Sequence, residues 1–255
     1  MIPFPDLPIA LLLWAALVTV FAGFTKGITG FALPLIMVSG MSTFIDPRLA
    51  IASVVIPTFV ANAWQGLQQG TTAAWEAVVK FRVLLVTTLS MIYISAQLIE
   101  GLAFQSLFLL LGSVIFVVSV VQLMGLNLKL APNQRTVGAI VAGCVAGFFG
   151  AIAGTWGPPT IIYLLAIGTE KTEQVRIAGI SFGLGALVFW VAHQHSGLIT
   201  PAALVFSVAL LLPMFIGLNL GRRLQHRINQ AVFRRITLWV LLLAALNIMR
   251  KALMS

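Results

Sequence analysis

Residues Ala22 to Pro34 read AGFTKGITGFALP, and a related stretch, AGFFGAIAGTWGP, occupies Ala146 to Pro158. The copies share six of thirteen residues; each is rich in glycine, ends in proline and lies in a strongly apolar region. The identical pairs are Ala22/Ala146, Gly23/Gly147, Phe24/Phe148, Ile28/Ile152, Gly30/Gly154 and Pro34/Pro158. Such a stretch favours a turn in a water-soluble protein, whereas in a membrane it predicts a broken helix.

The composition of the whole chain identifies the solvent as lipid. Of the 255 residues, 60% are hydrophobic and only 8% are charged, whereas a soluble domain carries about 25% charged residues. Too few polar side chains remain to cover a water-facing surface. A helix needs roughly 20 apolar residues to cross a bilayer, and this chain contains one such run after another. The predicted fold class is therefore an all-α polytopic integral membrane protein.

The chain divides into ten apolar segments within a single transmembrane domain, residues 1–255. The segments lie near 8–24, 28–41, 49–66, 77–98, 103–125, 136–150, 152–168, 174–194, 200–221 and 230–249. The segments near 28–41 and 152–168 are short and rich in glycine and proline, which is typical of broken or re-entrant helices. The prediction is thus 8–10 membrane segments in all.

The basic residues predict the orientation in the bilayer. If loops alternate between two sides, twelve Lys and Arg residues fall on one side and three on the other. The twelve are Lys26, Lys80, Arg82, Lys129, Arg135, Lys171, Arg176, Arg222, Arg223, Arg227, Arg234 and Arg235; the three are Arg48, Arg250 and Lys251. The side with more Lys and Arg residues is expected to face the cytoplasm. Both termini are then expected on the opposite, extracytoplasmic side. The net charge of +9 is then explained by anionic lipid, with no nucleic acid as partner.

The repeat predicts a particular architecture. Each half, residues 8–125 and 136–251, holds five segments, so the halves enter the membrane in opposite directions. The segment that follows each glycine-rich stretch also recurs, as RLAIAS from Arg48 and RIAGIS from Arg176. An inverted-repeat helical bundle is typical of secondary transporters, whose sites lie near the midplane where discontinuous helices meet.

These stretches resemble the sulfite exporter TauE/SafE family, also called the toluene sulfonate uptake permeases. The resemblance rests on AGFTKGITGFALP, on AGFFGAIAGTWGPP and on PMFIGLNLGRRL, residues Pro213 to Leu224, and it runs from about residue 10 to 250. It implies a multi-pass permease of the bacterial inner (cell) membrane for small anions, often sulfur-containing ones such as sulfite, thiosulfate or sulfonates. One departure is visible, because Gly150 occupies the position that Lys26 has in the first copy.

Lys26 is the leading candidate for binding such an anion. An ionisable group inside a membrane costs roughly 2.5–3.5 kcal/mol on insertion scales and is functional by default. The alternative is that Lys26 only marks the cytoplasmic edge of the first segment. The predicted substrate-binding set around the two breaks and the polar third segment is Lys26, Thr25, Gly27, Gly30, Asn62, Gly154, Thr155 and Trp156. Asn62 and Gln65 share one helical face because they are three residues apart.

Other residues have two interpretations. The G-x-x-x-G spacings of Gly23 with Gly27 and Gly150 with Gly154 suit helix packing as well as a site. Arg48 and Arg176 begin the helices that follow the breaks; they are either pathway entrances for anions or interfacial anchors. The five arginines at the end of the ninth segment and in the next are expected mainly to be positive-inside anchors. These are Arg222, Arg223, Arg227, Arg234 and Arg235.

An enzyme is not expected, because the chain has no paired core carboxylates and none of the common catalytic motifs. Neither a cofactor nor a metal site is expected, and Cys144, as the single cysteine, excludes an internal disulfide. Three classes remain: a secondary transporter working by alternating access between inverted repeats, an anion channel on the same scaffold, and an assembly factor or membrane-embedded enzyme. The coupling ion, proton or sodium, and the oligomeric state stay open.

Overall fold

The computed structural model describes residues 7–97, 104–126, 129–153, 156–192 and 200–254, and this part of the chain is helical, with no β-strand. In chain order the helices are α1 (Ile9–Thr29), α2 (Leu33–Met41), α3 (Pro47–Ser53), α4 (Val55–Leu67), α5 (Thr71–Lys80), α6 (Arg82–Gln97), α7 (Phe104–Leu123), α8 (Arg135–Ala153), α9 (Gly157–Ala166), α10 (Lys171–Ala192), α11 (Pro201–Ala209), α12 (Leu211–Arg227) and α13 (Gln230–Met254). A single 3₁₀ turn, Pro132–Gln134, precedes α8.

Five helical stretches among the described residues are long and apolar enough to cross a membrane. They are Ile9–Thr29, Leu49–Leu67, Pro132–Ala151, Pro201–Arg227 and Gln230–Arg250. A sixth is formed by α5 and α6 if that pair, which bends by 79°, counts as one broken span. The prediction of an all-α polytopic membrane protein is confirmed.

Helices α2 and α9 are too short to cross. They contain 9 and 10 residues, and at a rise of ~1.5 Å per residue each covers about half of a ~30 Å hydrocarbon core. They are the short helices that follow the two glycine-rich stretches.

The first break lies between α1 and α2. Gly30 ends α1 with a φ of 88° and donates its N–H to the Lys26 carbonyl at 2.7 Å. Ala32 also has a positive φ, 73°, which an L-residue with a Cβ rarely adopts and which strains the backbone. Pro34, at the second position of α2, lacks the N–H that a continuing helix would need. The second break separates Ala153 from Gly157, and its residues Gly154 and Thr155 lie outside the described residues.

Helices from opposite ends of the chain pack with their backbones in contact. A methyl group on Gly217 of α12 would lie 2.0 Å from the Val20 carbonyl oxygen of α1, and one on Gly27 would lie 2.4 Å from the Leu218 carbonyl oxygen. Helices α8 and α6 pair in the same way, since a methyl on Gly147 would lie 2.5 Å from the Thr88 carbonyl oxygen. Gly27 and Gly147, one from each glycine-rich stretch, therefore serve helix packing.

The apolar core has two parts. One core joins α1, α2, α3 and α4 with α11 and α12, and its buried members include Met37, Phe206 and Met214. The other joins α5 to α10 with α13, for example through Ile161 and Leu241, and it also includes Phe31 and Ala32 of the first break. We call these the first and second bundles. They meet where α4 crosses α10, at a contact of Gly66 with Gly179 that brings the two backbones together.

We predict that Gly217→Ala destabilises the folded protein. The added methyl has no space against the α1 backbone, and overpacking of this kind costs roughly 1–3 kcal/mol. Thermal unfolding in detergent measures the effect. Gly183→Ala is the matched control, because its methyl would meet its nearest neighbour, the Asn62 Cβ, at an ordinary 3.5 Å. Equal unfolding temperatures for the two variants would contradict the packing described above.

Candidate functional site

Lys26 is buried where α1 packs against α4, with only 1% of its surface exposed. Its Nζ donates to Asn62 Oδ1 at 2.6 Å and to the carbonyl oxygen of Gly30 at 3.2 Å. Among the described residues it forms no ion pair; the salt bridge that they do contain joins Lys80 to Glu173. The site is therefore an ammonium group in an apolar interior that is held by neutral oxygen atoms alone.

The break in the helix creates this arrangement. Gly30 leaves the helical conformation one turn after Lys26, so its carbonyl oxygen is free of the helix ladder and accepts from the lysine side chain. The Lys26 carbonyl accepts a second hydrogen bond from Gln65 Nε2 at 3.0 Å, in addition to the Gly30 N–H. Helix α4 thus holds both the side chain and the main chain of Lys26.

The site has unused hydrogen-bonding capacity. An ammonium group has three donors, and among the described residues two hydrogen-bond partners face Lys26 Nζ. Gln65 is 2% exposed, and its Oε1 has no partner among the described residues. One buried positive charge, one free N–H and one free acceptor are what a small, partly protonated oxyanion or a hydrated anion would need.

The second break approaches the first. Trp156 precedes α9 and is 8% exposed, and a methyl on Gly150 would lie 2.9 Å from its Cε3. The indole therefore fills the space that a side chain at position 150 would occupy. A methyl on Gly157 would lie 3.8 Å from Cδ2 of Phe31, which belongs to the first break. Phe31 thus lies beside Gly157 at the start of α9, and in the chain it directly follows Gly30, whose carbonyl accepts from Lys26.

The sequence matches the family model described as Sulfite exporter TauE/SafE over residues 15–248, nearly the whole chain. The chain belongs to this family. Its members are membrane transporters of sulfur-related anions rather than enzymes, and the long apolar helices agree with a multi-pass membrane protein. No curated protein and no solved structure matches the chain significantly.

The structure of this TauE/SafE family member brings three of the predicted binding residues together: Lys26, Gly30 and Asn62. Gln65 joins them, and sequence reasoning left it out of the predicted set although its three-residue spacing from Asn62 was the available signal. Gly27 faces α12, where it also lines a crevice beside Gln65.

The remaining predicted residues have other surroundings. The Thr25 hydroxyl donates to the Phe21 carbonyl of its own helix at 3.0 Å. Arg176 is half-buried on α10, and its Nη1 donates to the Ala73 carbonyl of α5 at 3.3 Å. Arg48 belongs to α3, but its side chain, like all of Gly154 and Thr155, lies outside the described part of the chain. The entrance roles of Arg48 and Arg176 stay predictions.

We predict that Asn62→Leu destabilises the protein by about 1.5–3 kcal/mol, because a buried ammonium loses its shortest hydrogen bond. The same substitution in a Lys26→Met background should cost much less, since no charge is then left unpaired. A double-mutant cycle of thermal unfolding in detergent measures the coupling between the two residues. Strictly additive effects would show that the hydrogen bond contributes nothing to stability.

Proposed function

We propose that this family member is a secondary transporter for a small sulfur-containing oxyanion, such as sulfite, thiosulfate or a sulfonate, in the bacterial inner membrane. Its substrate site is formed by Lys26, Asn62 and Gln65 beside the Gly30 break. One observation carries the proposal: the amino group of Lys26 is fully buried and has no carboxylate partner among the described residues. A charge in this setting is costly, and a bound anion offsets that cost.

The contacts support a division of roles within the site. Asn62 accepts from Lys26 through Oδ1, so its Nδ2 group is the donor end of the amide. Gln65 donates through Nε2 to the Lys26 carbonyl, so its Oε1 is the acceptor end. An oxyanion placed here receives the third N–H of Lys26, and a hydroxyl or water that accompanies the anion donates to Gln65.

We propose that the first and second bundles are the bodies that move in alternating access. Residues 8–125 and 136–251 are inverted repeats in this scheme, but they do not move as units. Glycine contacts join α1 to α12 and α6 to α8, so each proposed body contains helices from both repeats. The similarly close contact of Gly66 with Gly179, between α4 and α10, would have to shift during the transition. The site lies next to the crossing of α4 with α10, where the bundles meet.

The proposed orientation follows from the basic residues. The end of the protein that carries most of the Lys and Arg residues, which we call the basic end, faces the cytoplasm, and both termini face the opposite side.

Counterflow in proteoliposomes tests the transporter class. Vesicles preloaded with unlabelled anion should accumulate labelled sulfite or thiosulfate against its concentration gradient, and the initial rate should saturate. A channel would give flux without counterflow. Imposed proton and sodium gradients, applied one at a time, identify the coupling ion. Absence of flux for every sulfur oxyanion tested would overturn the proposed function.

We predict that Lys26→Met lowers the ratio of maximal rate to half-saturating concentration by about 10- to 100-fold. This range corresponds to the loss of one charge-assisted hydrogen bond to the anion, roughly 1.5–3 kcal/mol. The matched control is Lys129→Met, because Lys129 is exposed. If Lys26→Met protein of normal abundance transports like the wild type, Lys26 is a structural residue and the proposed site is wrong.

A further inference from the structure

A narrow crevice lies beside the Lys26 site, between α1, α4, α10 and α12. Its lining includes Gly27 of α1, Gln65 of α4, Gln68 directly after α4, Val175 of α10 and Arg222 of α12. In this conformation the crevice is too narrow to admit a water molecule. It nevertheless joins a residue of the buried site, Gln65, to an arginine of the basic end of the bundle.

Two acceptor atoms in this crevice lack donors. Gln65 Oε1 and Gln68 Oε1 are both buried and have no hydrogen-bond partner among the described residues. Leaving a polar group buried and unpaired costs about 1–3 kcal/mol, and native structures rarely tolerate this without a reason. Widening of the crevice would let water or a ligand reach both oxygens.

Arg222 is the positive charge of the crevice. Its guanidinium is half-buried and forms no hydrogen bond or ion pair with the described residues. The next residue, Arg223, is exposed and does not line the crevice. Arg222 and Arg223 are neighbours on α12 and carry the same charge, but of the two Arg222 lines the crevice. A guanidinium has five donors in a planar fork that fits an oxyanion.

Val175 forms the part of the crevice wall that belongs to the second bundle. The same residue abuts the first break, because a methyl on Gly30 would lie 3.1 Å from the Val175 Cα. The other lining residues named here belong to the first bundle. Separation of α10 from the first bundle would therefore open the crevice and release the break together.

We propose that this crevice is the closed cytoplasmic mouth of the substrate pathway, and that Arg222 binds the oxyanion there before it reaches Lys26. The inference rests on the proposed transport function and adds to it a second anion-binding position. Arg222 then has a role beyond that of a positive-inside anchor, while Arg223 keeps the anchoring role alone.

Flux in oriented proteoliposomes tests the role of Arg222. Arg222→Gln should raise the half-saturating anion concentration on the cytoplasmic side by roughly two- to fivefold, the range for one partly exposed ion pair, with little change in maximal rate. Arg222→Lys, which keeps the charge, should recover part of the loss. The matched control Arg223→Gln should behave like the wild type. Equal effects of Arg222→Gln and Arg223→Gln would overturn the inference, whereas absent wild-type flux would instead overturn the proposed function.

Thiol labelling provides a second test that does not depend on the activity of the Arg222 variants. Gln68→Cys is introduced together with Cys144→Ser, which removes the chain's single cysteine. A membrane-impermeant thiol reagent applied from the cytoplasmic side should label the introduced thiol, and saturating sulfite or thiosulfate should change the labelling rate. A thiol that reacts from neither side under any condition, or only from the periplasmic side, would show that the crevice is not the cytoplasmic mouth.

Discussion

The structure of the site depends on the hydrogen bonds of the buried Lys26 amino group, which has no carboxylate partner among the described residues. Lys26 Nζ draws together the end of α1, through the Gly30 carbonyl, and the middle of α4, through Asn62. Neutral oxygens partly solvate the charge but do not cancel it. A bound anion would offset the cost of a positive charge buried here, which is the role that the proposed transport function gives it.

The second constraint is the close approach of helix backbones. Glycines on α1 and α12, and on α8 against α6, leave no space for a methyl group at their contacts. These contacts join α1, at the start of the first half of the chain, to α12 of the second half. They also join α8, at the start of the second half, to α6 of the first half. The result is two bundles with separate apolar cores, and the Lys26 site lies at the boundary between them.

Much of the fold was predictable from the sequence. The scarcity of charge required a membrane protein, and the paired glycine-rich stretches predicted both helix breaks, since Gly and Pro act locally on the backbone. Of the predicted binding residues, Lys26 contacts Gly30 and Asn62, and their role in binding stays a prediction. The packing role of Gly27 was one of two open interpretations, and Gln65 was left out. The spacing of Gln65 from Asn62 was the available signal for Gln65, whereas the role of Gly27 depends on which helix lies opposite.

The sequence by itself determined that this protein lies in lipid and where its glycine-rich stretches are. It also determined that Lys26 is the charged residue within those stretches. Composition and residue type act locally, through the transfer of side chains into lipid and through the allowed backbone angles. Only the tertiary structure decided that Lys26 is fully enclosed, that Asn62, 36 residues away, is its partner, and that Arg222 rather than Arg223 lines the crevice. These facts depend on how α1, α4, α10 and α12 cross, which is set by packing between residues far apart in the chain.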